Sequence, residues 1–270
     1  MRRTLRPKFP SSAEREYGKR LAAYADKYVS LMRAALKEEL PELKDVSAEE
    51  QPRFDTNIEQ KIERIISLVD KRLASYYPDA VLMRWSMAMI NKVNGHTKRE
   101  VNKMFRDQVV DDSEEPNFVG LMKDKGISDF FMNVAEENVG LIKSIPKLKQ
   151  PAFKNMLVAN LTADMPARQL QAEIVKHFNV TKGRAKMIAR DQTGKMNGRL
   201  EEYRQKQLGL KEYIWRTSED ERVREDHKRL DGRKFRWDKP PVVDRRTGRR
   251  GNPKQDYLCR CWAEPVFDED

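Results

Sequence analysis

One imidazole and two thiols are the side chains of this sequence best equipped for chemistry: His227, Cys259 and Cys261. Imidazole and thiolate are soft ligands that staple small modules through zinc, and Asp256 or Asp226 supplies a carboxylate for a fourth position. The same residues also read as a buried, hydrogen-bonded histidine beside two small apolar cysteines. The chain has no other cysteine, and one residue separates this pair, so a bridge between them would close a strained ring. A second chemistry is acid–base catalysis by His227 with Asp220, which by spacing shares a helix face with Arg224. That pair has no nucleophile beside it. The competing reading is an ion-paired turn that locks a helix to a strand, with Trp215 and Trp237 as core.

Charge points to partners. The 270 residues carry a net charge of +11, and between Thr181 and Arg260 24 Lys and Arg face 13 Asp and Glu. That stretch holds the entire excess. Such segregation implies a polyanion or an acidic protein surface, against a solvated basic face with no partner. The candidate phosphate contacts are Lys182, Arg184 and Lys186 at a helix start, and Arg245, Arg246, Arg249 and Arg250 on a loop. That loop, Lys239 to Leu258, is rich in Pro, Gly and Arg and is expected to be mobile. No apolar run is long enough to span a bilayer, and Met1 to Pro10 lacks the apolar stretch of a secretory signal, so a cytoplasmic protein is expected.

The elements that position these residues are mainly α. Ser11 and Glu14 form a capping-box pattern, followed by Tyr17, Leu21, Tyr24, Tyr28 and Leu31 at helical spacing up to Pro41. A second stripe runs from Ile58 through Ile62, Ile65 and Val69 to Tyr76. A third, with Val81, Trp85, Met89 and Val93, is expected to break at Asn94-Gly95 before a fourth around Val101 to Phe105. Asp111 to Pro116 reads as a polar loop. Shorter helices follow at Ile127 to Asn138 and Gln150 to Leu161. Asp164 to Arg168 starts a further helix, and Asn179-Val180 is read as a turn into a longer one capped by Thr181 and ended by Leu208-Gly209. This gives a helical hairpin. Beyond it, Tyr213–Thr217, Lys234–Trp237 and Trp262–Phe267 are strand-like, and Ser218 with Glu221 caps a short helix to Leu230. The expected architecture is an elongated helical N-terminal part (1–163), a helical hairpin (164–210) and a small basic α+β module (211–270).

The string Trp215, Thr217, Asp220, Arg222, Arg224, His227, Leu230, Asp231, Gly232, closed by Cys259-Arg260-Cys261, strongly resembles the phage Mu F-like minor head proteins of the head-morphogenesis family. Glu137 to Pro146 and Arg184 to Thr193 resemble that family's upstream blocks, in the family's order. The resemblance implies a minor head protein of a tailed phage or prophage, in the head interior or at the portal vertex, with host cytoplasm as the place of assembly. Its implied partners are the portal protein, the major capsid protein and packaged double-stranded DNA, without a membrane. No enzymatic activity comes with the pattern. Two rivals remain: a metal-dependent nuclease or toxin-like module using His227, and a helix-turn-helix regulator at Leu170 to Arg190.

Overall fold

In a computed structural model, the structure describes residues 6–40, 58–106, 127–162 and 167–266. Long helices come first: α1 (Ser11–Glu39), α2 (Ile58–Tyr76), α3 (Asp79–Arg106), α4 (Ile127–Lys147), α5 (Gln150–Thr162) and α6 (Ala167–Gln207). A short mixed segment follows: β1 (Glu212–Arg216), α7 (Glu225–Lys228), β2 (Lys234–Arg236), β3 (Val242–Asp244), β4 (Arg249–Arg250) and β5 (Trp262–Pro265). Mainly α is therefore the fold class. The expected start at Asp164 to Pro166 and the acidic stretch Asp111 to Pro116 lie outside the described residues. No helix among the described residues is long and apolar enough to cross a membrane.

The chain forms two compact units. One comprises residues 17–86 and 134–189; the other comprises 1–16, 87–133 and 190–270. Each unit draws on both the 1–163 and the 164–210 stretches.

The first unit is a helical assembly built on the stripes the sequence shows. Tyr17, Leu21, Tyr24, Tyr28 and Met32 of α1 are buried, as are Ile58, Ile62, Ile65, Val69 and Leu73 of α2. Tyr76 departs from its stripe: it is exposed, and the Lys27 ammonium sits 3.5 Å above its ring. Lys154 of α5 ties down to α2 through Glu59 at 2.8 Å and Glu63 at 2.5 Å.

Two expected helix breaks are absent. α3 runs unbroken through Asn94-Gly95, because one glycine costs a helix only about 1 kcal/mol. Burial of Val93, Val101, Met104 and Phe105 on either side outweighs that. α6 likewise runs through Asn179-Val180, so neither the hairpin nor the helix-turn-helix exists. Thr181, expected as a cap, instead donates from Oγ1 to the His177 carbonyl one turn back, at 3.1 Å. The capping box at Ser11 is also not formed: its hydroxyl donates to the Phe9 carbonyl, and Pro10 O accepts the first helical amides.

In the second unit, β1 lies at the centre of a three-stranded antiparallel sheet ordered β2-β1-β5, while β3 and β4 form a separate hairpin. α6 ends at Gly209, whose φ of 82° only glycine adopts cheaply. The mini-core beneath the sheet is Tyr213, Trp215, Leu230, Trp237, Val243, Cys259, Cys261 and Ala263. The stretch 239–258 is not the loose loop expected. It contains the β3–β4 hairpin, and Asn252, Lys254 and Asp256 are buried.

Candidate functional site

Alternation along β1 aims Tyr213, Trp215 and Thr217 inward and leaves Ile214 and Arg216 half-buried. The inward Trp215 packs edge-on to His227, ring centroids 5.4 Å apart. His227 is delivered by the single turn of α7 and is 2% exposed. The expected capped helix from Ser218 is reduced to that one turn, because Glu219 takes a φ of 56° and Asp220 is engaged elsewhere. α7 begins after Arg224, whose side chain makes no capping bond.

Cys259 and Cys261 approach His227 from the segment that enters β5. Nδ1 of His227 lies 3.6 Å from Cys259 Sγ and 3.5 Å from Cys261 Sγ. All three ligand atoms lie within 4.8 Å of one another. On the far side of the ring, Nε2 is 3.2 Å from Asp256 Oδ2, at ion-pairing distance but off the direction of a linear hydrogen bond. Asp256 is itself held by Arg249 Nη2 at 2.6 Å, Arg224 Nη1 at 3.3 Å and the Tyr257 amide at 2.6 Å.

The electrostatics follow from this packing. Burial pushes the His227 imidazole down, but Asp256 and the Cys259 sulfur outweigh it and hold the ring at about 9. Burial likewise works against the Asp256 carboxylate, yet His227, Arg249 and the Tyr257 amide bring it well below the usual range. The neighbouring Cys261 and the imidazole pull the Cys259 thiol far down, while Cys261, facing that sulfur in a buried place, is pushed up.

Most of the remaining motif residues are bonded or packed within the module. Arg260 makes a two-pronged ion pair with Asp220, which also accepts from the Arg222 amide at 3.0 Å. Asp220 is thus not the acid–base partner of His227. That place belongs to Asp256. Arg224 donates to the Tyr257 carbonyl at 2.6 Å. Leu230 is core, Asp231 accepts from the Thr217 amide at 2.7 Å, and Gly232 closes the turn with its amide on Trp215 O at 2.8 Å. A cavity of about 310 Å³ opens beside the cluster, lined by Arg190, Ser218, Arg222, Arg224 and Arg260 along with all three ligand residues.

The basic candidates divide. Arg245 pairs with Asp226 at 2.7 Å and Arg249 with Asp256, while Arg250 donates to the Pro240 carbonyl at 3.0 Å. Arg246 is exposed at the hairpin turn; its amide donates to Asp244 Oδ1 at 3.0 Å, and its side chain forms no salt bridge among the described residues. Lys182, Arg184 and Lys186 belong to the other unit. There Lys182 pairs with Asp26 at 2.7 Å, Arg184 donates to Ser144 Oγ at 2.9 Å, and Lys186 is exposed.

A polar clamp escaped the sequence reading. Thr97 donates to Asn197 at 2.8 Å, Asn197 to Glu201 at 3.0 Å, and Lys254 to the same Glu201 oxygen at 2.5 Å. Glu202 accepts from Asn252 and Gln255, and Asp191 accepts from the Leu258 amide at 2.8 Å. These bonds fix the 252–258 segment along the second half of α6. They thereby set the height of Asp256 and of the cysteines that follow. The available signal was a glycine in mid-helix, Gly198, beside an acidic pair on an otherwise basic stretch.

Comparison with known proteins places this arrangement. Residues 152–264 match a family described as Phage Mu protein F like protein. That segment, less than half of the chain, is similar to the Phage Mu F-like family. The match takes in most of α5, all of α6 and the sheet module, so the Mu F-like region holds the clamp apart from Thr97, the His–Cys cluster and the hairpin arginines together. An uncharacterized protein of Haemophilus influenzae is 35% identical over 133 residues, which is 49% of this chain and 28% of that protein. The chain thus spans well under two thirds of that relative. No solved structure matches.

Proposed function

We propose that the protein is a minor head component of a tailed phage or prophage, acting with portal and major capsid proteins at the portal vertex and touching packaged DNA through its basic C-terminal region. The observation that carries this reading is the Mu F-like match over 152–264, which supports a phage head-morphogenesis protein. The excess positive charge falls in that same segment. The module uses its motif residues to hold itself together, as an assembly part does, and leaves cations such as Arg246 on its surface.

Double-stranded DNA contacted this way would be held through phosphates, with steep salt dependence and little base preference. Arg246 and Arg250 are the hairpin groups not tied up in internal ion pairs, so each is expected to remove about one unit from the slope of log affinity against log salt when changed to Gln. Binding that ignores salt, or no binding at low ionic strength, removes the DNA contact. The assembly role is tested by probing procapsids and mature particles for the chain, and purified portal protein for its co-retention. Detection in particles together with portal retention supports the role, and absence from both particle forms overturns it.

A further inference from the structure

We propose that His227, Cys259 and Cys261 bind one zinc ion, oriented by Asp256 from behind, with a fourth coordination position that opens into the arginine-lined cavity and takes water or a small anion. A tetrahedral zinc with ordinary bond lengths, about 2.0–2.1 Å to nitrogen and 2.3 Å to sulfur, holds a nitrogen and a sulfur ligand about 3.5–3.6 Å apart. The observed separations from Nδ1 are 3.6 and 3.5 Å. A plain thiol–imidazole contact has no reason to bring two sulfurs to the same nitrogen at one distance. The tetrahedral requirement does.

The surroundings fit the ion as well. A ligating histidine ordinarily presents its other ring nitrogen to a carboxylate, which fixes the ring and raises its basicity. Asp256 occupies that place, 3.2 Å from Nε2, and three further donors keep it there. The side chain is 4% exposed, so its position is set by packing rather than by solvent. Asp256 is therefore a positioning residue behind the ring and not the fourth ligand. Asp226 is not the fourth ligand either, since Arg245 holds it.

The fourth position is exogenous. Among the described residues the soft-ligand cluster has three members. All three line the 310 Å³ cavity, where the side chains of Arg190 and Arg222 form no ion pair among the described residues. Three protein ligands with an accessible fourth site leave the metal able to bind a small molecule, and the guanidinium lining selects an anion. The ion would also fasten the turn of α7 to the strand-entering Cys-x-Cys segment. That link is independent of the head-assembly reading.

The test uses the purified full chain with cobalt(II) as a spectroscopic stand-in for zinc, alongside elemental analysis of protein grown with zinc. Expected are one metal per chain, thiolate-to-cobalt charge-transfer bands, and visible bands of tetrahedral intensity that shift on adding azide. Cys259→Ser and Cys261→Ser should each abolish those bands, and Asp256→Asn should weaken affinity about 10- to 100-fold while keeping them. Should a cysteine variant fold poorly, the unaltered chain still decides: zinc removal by a chelator must lower its melting temperature, and re-addition must restore it. Sub-stoichiometric metal in folded chain, or a melting temperature indifferent to zinc, overturns the site. Visible bands unmoved by azide overturn the open position.

Discussion

Lys254 Nζ lies 2.5 Å from Glu201 Oε1, and the two side chains are 7% and 4% exposed. A buried ion pair contributes little over an apolar pair of the same size, but removing one partner strands the other charge. Asn197 also donates to Glu201, which softens the loss without neutralising the carboxylate. Lys254→Met is therefore expected to cost about 3 kcal/mol, and Lys254→Met with Glu201→Leu to recover most of it. Urea unfolding followed by tryptophan fluorescence suits the measurement, since Trp215, Trp237 and Trp262 all lie in the module that Lys254 anchors.

Gly198 is the second contact on which that anchoring depends. A Cβ there would meet Lys254 Cβ at 2.6 Å and the Pro253 carbonyl at 2.9 Å, and neither atom is the mobile end of a side chain. Alanine favours a helix over glycine by about 1 kcal/mol, yet overpacking costs about 1–3 kcal/mol and should prevail. Gly183, on the same helix, has nothing within 4 Å. Gly183→Ala should raise the melting temperature and Gly198→Ala lower it; equal shifts in one direction would contradict the packing argument.

His177 carries a pH dependence that can be followed apart from the His–Cys cluster. It is buried, stacked on Phe153 with ring centroids 4.0 Å apart, and burial pulls its pKa down from 6.5 to about 4. The unfolded chain binds this proton more readily than the folded one. Its contribution is thus fully present above pH 6.5 and is lost as the pH falls toward 4, amounting to ~2–3 kcal/mol. His177→Phe keeps the stack and removes the proton site. Thermal melts from pH 7 to 4 should show a smaller decline for that variant than for the parent.

Much of this was legible in the residues, and what was not had physical reasons. The stripes of α1 and α2 are read from spacing because burial enforces the 3.6 period. Helix ends are less readable: Asn94-Gly95 and Asn179-Val180 are weak local signals that the buried residues on either side override. His227 and the Cys-x-Cys pair could be matched by ligand type alone. Asp256 and its place behind the ring could not, since Arg224, Arg249 and His227 meet it only once the 252–258 segment is seated. Nor does sequence show that Asp220 answers to Arg260, 40 residues away. Such pairings are made by tertiary packing, and composition leaves no trace of them.

The Leu230-Asp231-Gly232 run shows why a motif can be strict without being chemical. Gly232 has a φ of 72°, and its amide reaches the Trp215 carbonyl, so the turn returns the chain to the sheet at a fixed height. A Cβ at this position would find nothing closer than Arg216 Nη1 at 3.8 Å. Space is available, and the penalty for a side chain is conformational alone. Gly232→Ala should then cost about 1–2 kcal/mol, Gly232→Asn less because asparagine tolerates this backbone, and Gly232→Val more because it is β-branched. Asp231→Ala removes the acceptor for the Thr217 amide and should cost about 1 kcal/mol. If the order Asn, Ala, Val is not seen in the melting temperatures, the turn is held by something other than its backbone.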